Sequence, residues 1–291
     1  MASPVSITVL PRAVIGLDGG ESRDFQHSLL TCDVQSLVAG QGAYGALLTP
    51  QGKILFDLFT LATETGFLLD AAAGSAEDLV KRLTMYRLRR KIEISPKPDL
   101  AVAAIWGSDD PPGVEGTVVF RDPRAAGLGY RAIGPEHALE AAATADAGQY
   151  DIHRMALGIA DSERDIGSGQ MFPHEANLDQ LHGVSFTKGC FVGQEVVSRM
   201  EHRGTARSRI VPVRFDGPPP LPDTAVTAGG RGLGRILSGL DGRGLALIRL
   251  DRAAAAAGAG EPLVAGETGL SLERPEWARY SVPAGDGAGD A

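Results

Sequence analysis

The sequence is poor in cysteine, which excludes one class of protein. Only Cys32 and Cys190 occur among the 291 residues, and they lie far apart. A secreted disulfide scaffold would carry more cysteines, so two isolated ones indicate a reducing compartment. The first ten residues lack the basic stretch and apolar run of a signal peptide, and they lack the arginine- and serine-rich composition of a transit peptide. We therefore expect a cytoplasmic protein.

Long apolar runs and an excess of positive charge are also missing. No stretch reaches the roughly 18 apolar residues of a membrane helix, so we expect no membrane partner. Acidic residues outnumber basic ones, 36 to 28, and the net charge is −8. Such a surface repels phosphate backbones, so we expect no direct contact with nucleic acid. With 43% hydrophobic and 22% charged residues, the composition fits a globular chain of two or three domains.

Hydrophobic patterns along the first half of the chain predict mixed helix and strand. A helix is expected at 22–30, with Ser22 as its cap and Phe25 and Leu29 on its buried face. Strands are expected at 44–48 and 53–61, on either side of a turn at 49–52. Further helices are predicted from residue 75 and near 135–147.

A run of prolines at 218–222 predicts a domain boundary. Beyond it, short strand patterns and many glycines are typical of a small β-barrel or sandwich over 215–283. The final residues, 284–291, have the composition of a disordered tail.

The most unusual segment surrounds Cys190. From Val192 onward, a helical pattern places Cys190 at or just before a helix N-terminus, where unpaired N–H groups favour an anion. Lys188 adds a positive charge nearby, and both effects favour the reactive thiolate. A buried cysteine that packs like a small hydrophobe is the alternative, and the residues alone leave the two interpretations level.

Residues 188–195, Lys-Gly-Cys-Phe-Val-Gly-Gln-Glu, resemble the K-G-C-[YF]-x-G-Q-E signature of the YgfZ family. Other stretches agree with that family in order and spacing. They are residues 23–33, 48–57, 86–93 and 172–178.

The resemblance implies an α+β, T-protein-like multi-domain fold around a central folate cavity, with a small C-terminal β-barrel. The expected domains are 1–40 plus 131–214, then 41–130, then 215–283. The implied function is that of a tetrahydrofolate-binding accessory protein, not a conventional enzyme. It would act through Cys190, aided by Lys188, in assembly or repair of iron–sulfur clusters. The implied partners are the assembly machinery and client iron–sulfur enzymes, including radical-SAM enzymes that modify tRNA, and we expect a monomer.

Asp57 supports an alternative function. It falls where the T-protein of glycine cleavage has a carboxylate that works on folate, so the chain could be an aminomethyl or one-carbon transferase. The T-protein strand reads Gly-Gly-Ile-x-Asp-Asp, whereas residues 52–57 here read Gly-Lys-Ile-Leu-Phe-Asp. One carboxylate is missing, which puts the transfer reaction in doubt. Asp57 could equally be a strand-end residue that faces solvent.

Folate carries carboxylates at one end and a flat pterin at the other, so its pocket needs basic residues at the mouth and a carboxylate or amide at the base. Arg90, in a basic run at 87–91, is the candidate for the mouth. Besides Asp57, the candidates for the base are Asp33, Glu175, Gln194 and Glu195. No metal site is expected, because the six histidines and two cysteines show no metal-ligand spacing.

Overall fold

The computed structural model describes residues 5–204 and 206–283. Two antiparallel sheets and a closed barrel organise this part of the chain. Their strands are β1 Ser6–Val9, β2 Arg12–Asp18, β3 Gly42–Leu48, β4 Ile54–Ala62, β5 Gly66–Ala72, β6 Glu93–Pro96, β7 Leu100–Trp106, β8 Val118–Arg121, β9 Tyr130–Pro135, β10 Ser208–Arg214, β11 Ala225–Ala228, β12 Arg231–Leu240, β13 Arg243–Arg249, β14 Leu263–Ala265 and β15 Thr268–Leu272. The helices are α1 Ser22–Leu29, α2 Ala76–Arg87, α3 Glu136–Ala142, α4 Ala147–Ala156, α5 Gln194–Arg203 and α6 Leu250–Gly258. The predicted α+β class with a C-terminal barrel is confirmed.

The strand order shows how the chain is divided. One sheet has the order β3-β4-β5-β2-β6 and the other β1-β7-β9-β8, while the barrel closes in the order β10-β13-β12-β11-β14-β15. Each sheet therefore combines strands from both of the first two predicted domains, because β2 pairs with β5 and β1 pairs with β7. The predicted split between 1–40 plus 131–214 and 41–130 does not follow the sheets.

The barrel also begins earlier than predicted. Its first strand, β10, starts at Ser208, before the expected boundary at 215. The proline-rich run 218–222 connects β10 to β11 inside the barrel instead of separating two domains. Proline prevents strand pairing wherever it occurs, so it marks a loop within a barrel as readily as a linker. The expected tail at 284–291 lies outside the described residues.

The helix at 22–30 and the turn at 49–52 appear as predicted. Phe25 and Leu29 are buried on α1, but Glu21 holds the N-cap position, and Ser22 is the first helical residue. The amide of Gly52 donates to the carbonyl of Thr49 at 2.9 Å, which closes the turn between β3 and β4.

One core joins the two sheets to the barrel. Phe59 of β4, Ile133 of β9 and Ile210 of β10 belong to the same cluster of buried side chains. Burial of apolar surface across all three parts holds them in fixed positions around the space between them. No helix among the described residues is both long and apolar enough to span a membrane.

Candidate functional site

Cys190 lies exposed on the loop that leads into α5. The helix begins at Gln194, so the cysteine precedes it by one turn instead of sitting at its first residue. Cys32, by contrast, is only 2% exposed. Its burial raises the pKa of the Cys32 thiol to about 12. The two cysteines therefore have opposite environments, and Cys190 alone can meet a second molecule.

Lys188 fastens the Cys190 loop to the end of α1. Its ammonium donates to the carbonyl oxygens of His27, Leu30 and Cys32, at 2.5, 2.6 and 3.0 Å. Burial lowers the pKa of Lys188. An ammonium has three N–H donors, and all three have carbonyl partners here. Lys188 is therefore an anchor of the loop, and the expected effect of its charge on the Cys190 thiol stays a prediction.

Two glycines let the other end of this loop pack tightly on the β3–β4 turn. Gly193 is the N-cap of α5 and has a φ of 80°. A Cβ atom added there would lie 2.7 Å from the carbonyl oxygen of Thr49. A Cβ on Gly52 would lie 2.9 Å from Cβ of Val196. Only glycine fits both the left-handed conformation and the contact distance at position 193, so Cys190 is displayed on a rigid support.

Asp57 lies in a separate, buried environment on β4, with 6% of its surface exposed. The hydroxyls of Tyr44 and Ser162 both donate to its Oδ2, at 3.0 and 2.9 Å. Burial, followed by the neighbouring Asp57 charge, raises the pKa of Tyr44 well above its ordinary value, so the phenol keeps its proton and donates. The guanidinium of Arg12 donates to the Ser162 hydroxyl at 2.8 Å and fixes its orientation. Both of these donors bind Oδ2, and the structure shows no side-chain donor to Oδ1 within residues 5–204 and 206–283.

Buried ion pairs surround Asp57. Asp70, completely buried, accepts from Arg12 at 2.5 Å and from Nε of Arg131 at 2.8 Å. Asp122 accepts from Nε and Nη2 of Arg124 at 3.0 and 2.8 Å. Burial tends to raise the pKa of Asp122, but the Arg124 guanidinium outweighs it, and the net shift is downward. Because these ion pairs are buried, they hold the arginine side chains in fixed positions.

Two cavities flank this arginine network. The first measures about 160 Å³ and is lined by Arg12, Phe59, Tyr150 and Ser162, among others. The second measures about 810 Å³ and lies between the barrel, the loop after β8 and the segment 273–279. Arg124 lines both cavities. The two spaces therefore adjoin at this side chain.

Five of the predicted folate contacts lie away from both cavities among the described residues. Asp33 accepts from the amide of Gln35 in a turn, and the Arg90 guanidinium lies 5.7 Å from the ring of Phe25. Glu175 accepts from the amide of Phe172, while Gln194 and Glu195 begin α5. The carboxylates and amides near the signature serve local turns and a helix start. Only Asp57 is tied to a cavity, through Ser162.

Sequence reasoning missed the residues that build the surroundings of Asp57. Tyr44, Ser162, Arg12 and Arg124 come from four different parts of the chain, and none stands in a local motif. Ser162 opens a π-helical turn, Ser162–Ile166, whose N-cap is the side chain of Asp161. Short π-helical segments frequently occur at functional sites, but they leave no hydrophobic period by which a sequence could reveal them.

One further cluster could hold a cation. His174, Asp179 and Glu201 each place a ligand atom within 4.8 Å of the others. However, both oxygens of Asp179 accept from Arg209, at 2.8 and 2.9 Å. A metal ion there would have to displace or face this guanidinium, so the cluster is an ion-paired network and does not favour a metal.

Comparison with known proteins extends this description. Residues 207–280 match the family described as the CAF17 C-terminal beta-barrel domain. The chain is 33% identical over 269 residues to the human mitochondrial iron-sulfur cluster assembly factor IBA57, covering 81% of this chain and 75% of the relative. It is 35% identical over 270 residues to the protein of that name from Mus musculus, covering 82% and 75%.

A solved structure supports the fold independently. The aminomethyltransferase T of the glycine cleavage system from Bartonella henselae superposes with a TM-score of 0.76. The alignment covers 94% of this chain and 86% of that one, at 18% identity. The predicted T-protein-like fold is therefore confirmed, while identity this low shows the fold alone.

The comparisons correct one prediction. The human, mouse and Pyricularia oryzae relatives are all named as mitochondrial proteins, which contradicts the expectation of a cytoplasmic protein. That expectation used cysteine content, and few cysteines indicate a reducing environment without naming the compartment. The YgfZ name stays a prediction, since these relatives carry another. With this fold, this barrel and these levels of identity, the chain belongs to the IBA57 family of iron–sulfur cluster assembly factors.

Proposed function

We propose that this protein is a tetrahydrofolate-binding accessory factor in the assembly or repair of iron–sulfur clusters in client enzymes, with Cys190 as its working residue. The names of the relatives support a role in iron–sulfur cluster assembly. The observation that supports Cys190 as the working residue is its exposure on a loop that is fixed at both ends. Lys188 fixes one end and Gly193 the other. An exposed thiol on a fixed loop can meet a second molecule without a prior change in the loop.

The chemistry of a single exposed cysteine suits a shared site. A thiolate is a soft ligand for iron and a nucleophile toward sulfur. A stable iron–sulfur cluster takes four protein ligands in most cases. Because Cys190 offers one, the remaining ligands would come from the assembly machinery or from the client, and the cluster is cargo in transit instead of a resident group.

The proposed folate site is the smaller cavity beside Asp57. A pterin ring presents N–H donors, and the Oδ1 atom of Asp57 is an acceptor held in place by Tyr44 and Ser162 through Oδ2. The cavity of about 160 Å³ is smaller than the roughly 300–1,000 Å³ of sites that enclose a whole drug-sized ligand. It would therefore hold only part of the folate, with the remainder outside. Two expectations stay predictions: the protein is a monomer, and its client enzymes include radical-SAM enzymes that modify tRNA.

Cellular rescue tests the proposal. Cells that lack the endogenous protein receive the wild type, Cys190→Ser or Asp57→Asn, and the activity of an iron–sulfur enzyme is measured. We expect Cys190→Ser to fail completely and Asp57→Asn to rescue partially. Cys32→Ser is the matched control for loss of a thiol and should retain rescue. Full rescue by Cys190→Ser would contradict the central role of this residue.

The second candidate is a folate-dependent aminomethyl or one-carbon transferase that uses Asp57. The similarity in fold to an aminomethyltransferase favours it, as does the hydrogen bond between Asp57 and Ser162, a residue that lines a cavity. Phe56 stands where the T-protein strand has its other carboxylate. In the rescue experiment, complete failure of Asp57→Asn together with full rescue by Cys190→Ser would select the transferase.

Calorimetric titration with tetrahydrofolate separates binding from rescue. The amide of Asp57→Asn keeps the shape of the side chain but removes its charge, so we expect the affinity to fall about tenfold, near the 1.4 kcal/mol of a weakened charged hydrogen bond. Glu64→Gln, an exposed carboxylate in the β4–β5 turn, is the matched control. An unchanged affinity in Asp57→Asn would place the folate elsewhere.

A further inference from the structure

The larger cavity has a charge opposite to that of the protein. Five arginines and two glutamates line it, and Asp122 pairs with one of the arginines, Arg124. Two positive charges remain in excess, whereas the whole chain carries −8. Its volume is about 810 Å³, compared with about 160 Å³ for the smaller cavity. A concave surface of one sign concentrates ligands of the opposite sign. The cavity is therefore suited to an anion.

The arginines in this cavity differ in how far they are neutralised. Glu273 pairs with Arg214 and with Arg243. Arg274 donates to the carbonyl oxygen of Ala278 at 2.8 Å, and neither it nor Arg279 has a carboxylate partner within residues 5–204 and 206–283. Both are exposed. Their guanidinium groups can still donate paired hydrogen bonds to the two oxygens of a carboxylate.

The wall that carries these two arginines is fixed in position. The indole N–H of Trp277 donates to the carbonyl of Leu157 at 2.8 Å. The amide of Arg279 donates to Oε1 of Gln180 at 3.1 Å. A Cβ on Gly158 would lie 2.7 Å from Pro275, which shows how closely the segment packs on the end of α4. The cavity is preformed, so a ligand would not have to order it.

We propose that the larger cavity is a binding site for an oligocarboxylate, a ligand with several spaced carboxylate groups. Its arginines come from β10, β13, the loop after β8 and the segment 273–279, so their charges surround a wide space. A compact phosphate is usually bound by clustered backbone N–H groups at the start of a helix. Among the described α-helices only α4 reaches this cavity, and it does so with its C-terminal residue Ala156. The other helical segment in the lining is a single 3-10 turn, Ala126–Leu128.

Two sources could supply this chemistry, a γ-linked glutamyl chain such as extends from folate, or an acidic α-linked peptide. Because Arg124 lines both cavities, a γ-glutamyl chain could reach the larger one from the folate site of the proposed function. The site itself does not require that function, since Arg274 and Arg279 line only the larger cavity and not the one beside Asp57.

The test is calorimetric titration of the full chain with tetra-γ-glutamate, tetra-α-glutamate and pyrophosphate at low salt. We expect at least one tetraglutamate to bind and to outcompete pyrophosphate. Arg274→Gln/Arg279→Gln should weaken it by roughly tenfold or more, as expected for two lost arginine–carboxylate pairs. The control Arg89→Gln/Arg199→Gln removes two exposed arginines outside the cavity and should change the affinity less than twofold. Preference for the γ-linked probe assigns the site to a folate chain, and preference for the α-linked probe assigns it to a peptide.

Three results would overturn the inference: no binding of either tetraglutamate at millimolar concentration, equal weakening by the control pair, or tighter binding of pyrophosphate. Asp57→Asn separates this site from the folate site. If the folate proposal alone fails, tetraglutamate still binds and responds to Arg274 and Arg279. If the oligocarboxylate proposal alone fails, tetrahydrofolate affinity still depends on Asp57.

Discussion

Replacing Lys188 with methionine removes the cation that joins the Cys190 loop to the end of α1. Methionine preserves most of the length and the apolar stem but leaves three carbonyl oxygens, of His27, Leu30 and Cys32, without their donor. A hydrogen bond to a charged group contributes about 1.5–3 kcal/mol, and a cation at a helix C-terminus about 0.3–1 kcal/mol. Water can reach a half-buried site and replace part of this, so we expect the free energy of unfolding to fall by about 2–3 kcal/mol.

Urea denaturation measures that loss, and native-state hydrogen exchange locates it. Exchange should accelerate in residues 27–32 and 185–193 before it does so in the barrel. Lys91→Met, which removes an exposed lysine, should stay within about 0.5 kcal/mol of the wild type. Lys188→Arg should fall between the two, because a planar guanidinium cannot aim three donors as an ammonium does. If Lys188→Met were as stable as the wild type, with unchanged exchange in both segments, the anchoring role would be refuted.

Three further predictions follow from buried and exposed groups. Iodoacetamide at neutral pH should alkylate Cys190 in the native protein and Cys32 only after unfolding, since burial raises the Cys32 pKa to about 12. Mass spectrometry of the two peptides measures the two rates, and equal rates would contradict this prediction. Asp70→Asn should cost about 3–5 kcal/mol in urea denaturation, because it leaves two buried guanidinium groups without their shared anion, whereas Asp99→Asn on the surface should change little. Burial lowers the pKa of His153 in the folded state, so the unfolded chain binds more protons, and the free energy of unfolding should decline as the pH falls below about 6.5. His153→Gln should weaken that decline in urea denaturation. An unaltered pH profile would exclude His153 as its cause.

The sequence by itself determined the elements that depend on neighbouring residues. The stripe of Phe25 and Leu29 predicts α1, and the composition of 49–52 predicts the turn that precedes β4, because both signals lie within a few residues of one another. The helix α4 also had a local signal that we did not use. Asp146 and Gln149 form a capping box at its start, which is why the single helix predicted near 135–147 is two helices.

Sequence similarity added what local patterns could not, namely the T-protein-like fold and the hypothesis that Cys190 is the working residue. Proximity along the chain, in contrast, does not tell where a long side chain points. Lys188 stands two residues from Cys190 in the chain, yet its ammonium reaches back to α1, because a long side chain binds where acceptors are available and not where its neighbour in sequence lies.

Only the tertiary structure decided what surrounds Asp57 and which residues share a cavity. Tyr44, Ser162 and Arg12 meet at this carboxylate from positions as much as 150 residues apart, and the arginines of the larger cavity come from four segments. Contacts of this kind form when the two sheets and the barrel bury a common core, and no short-range pattern records which side chains will then face one another. The chain's local chemistry therefore specifies its helices and its turns, while the folding of distant strands against each other creates the cavities that we propose as binding sites.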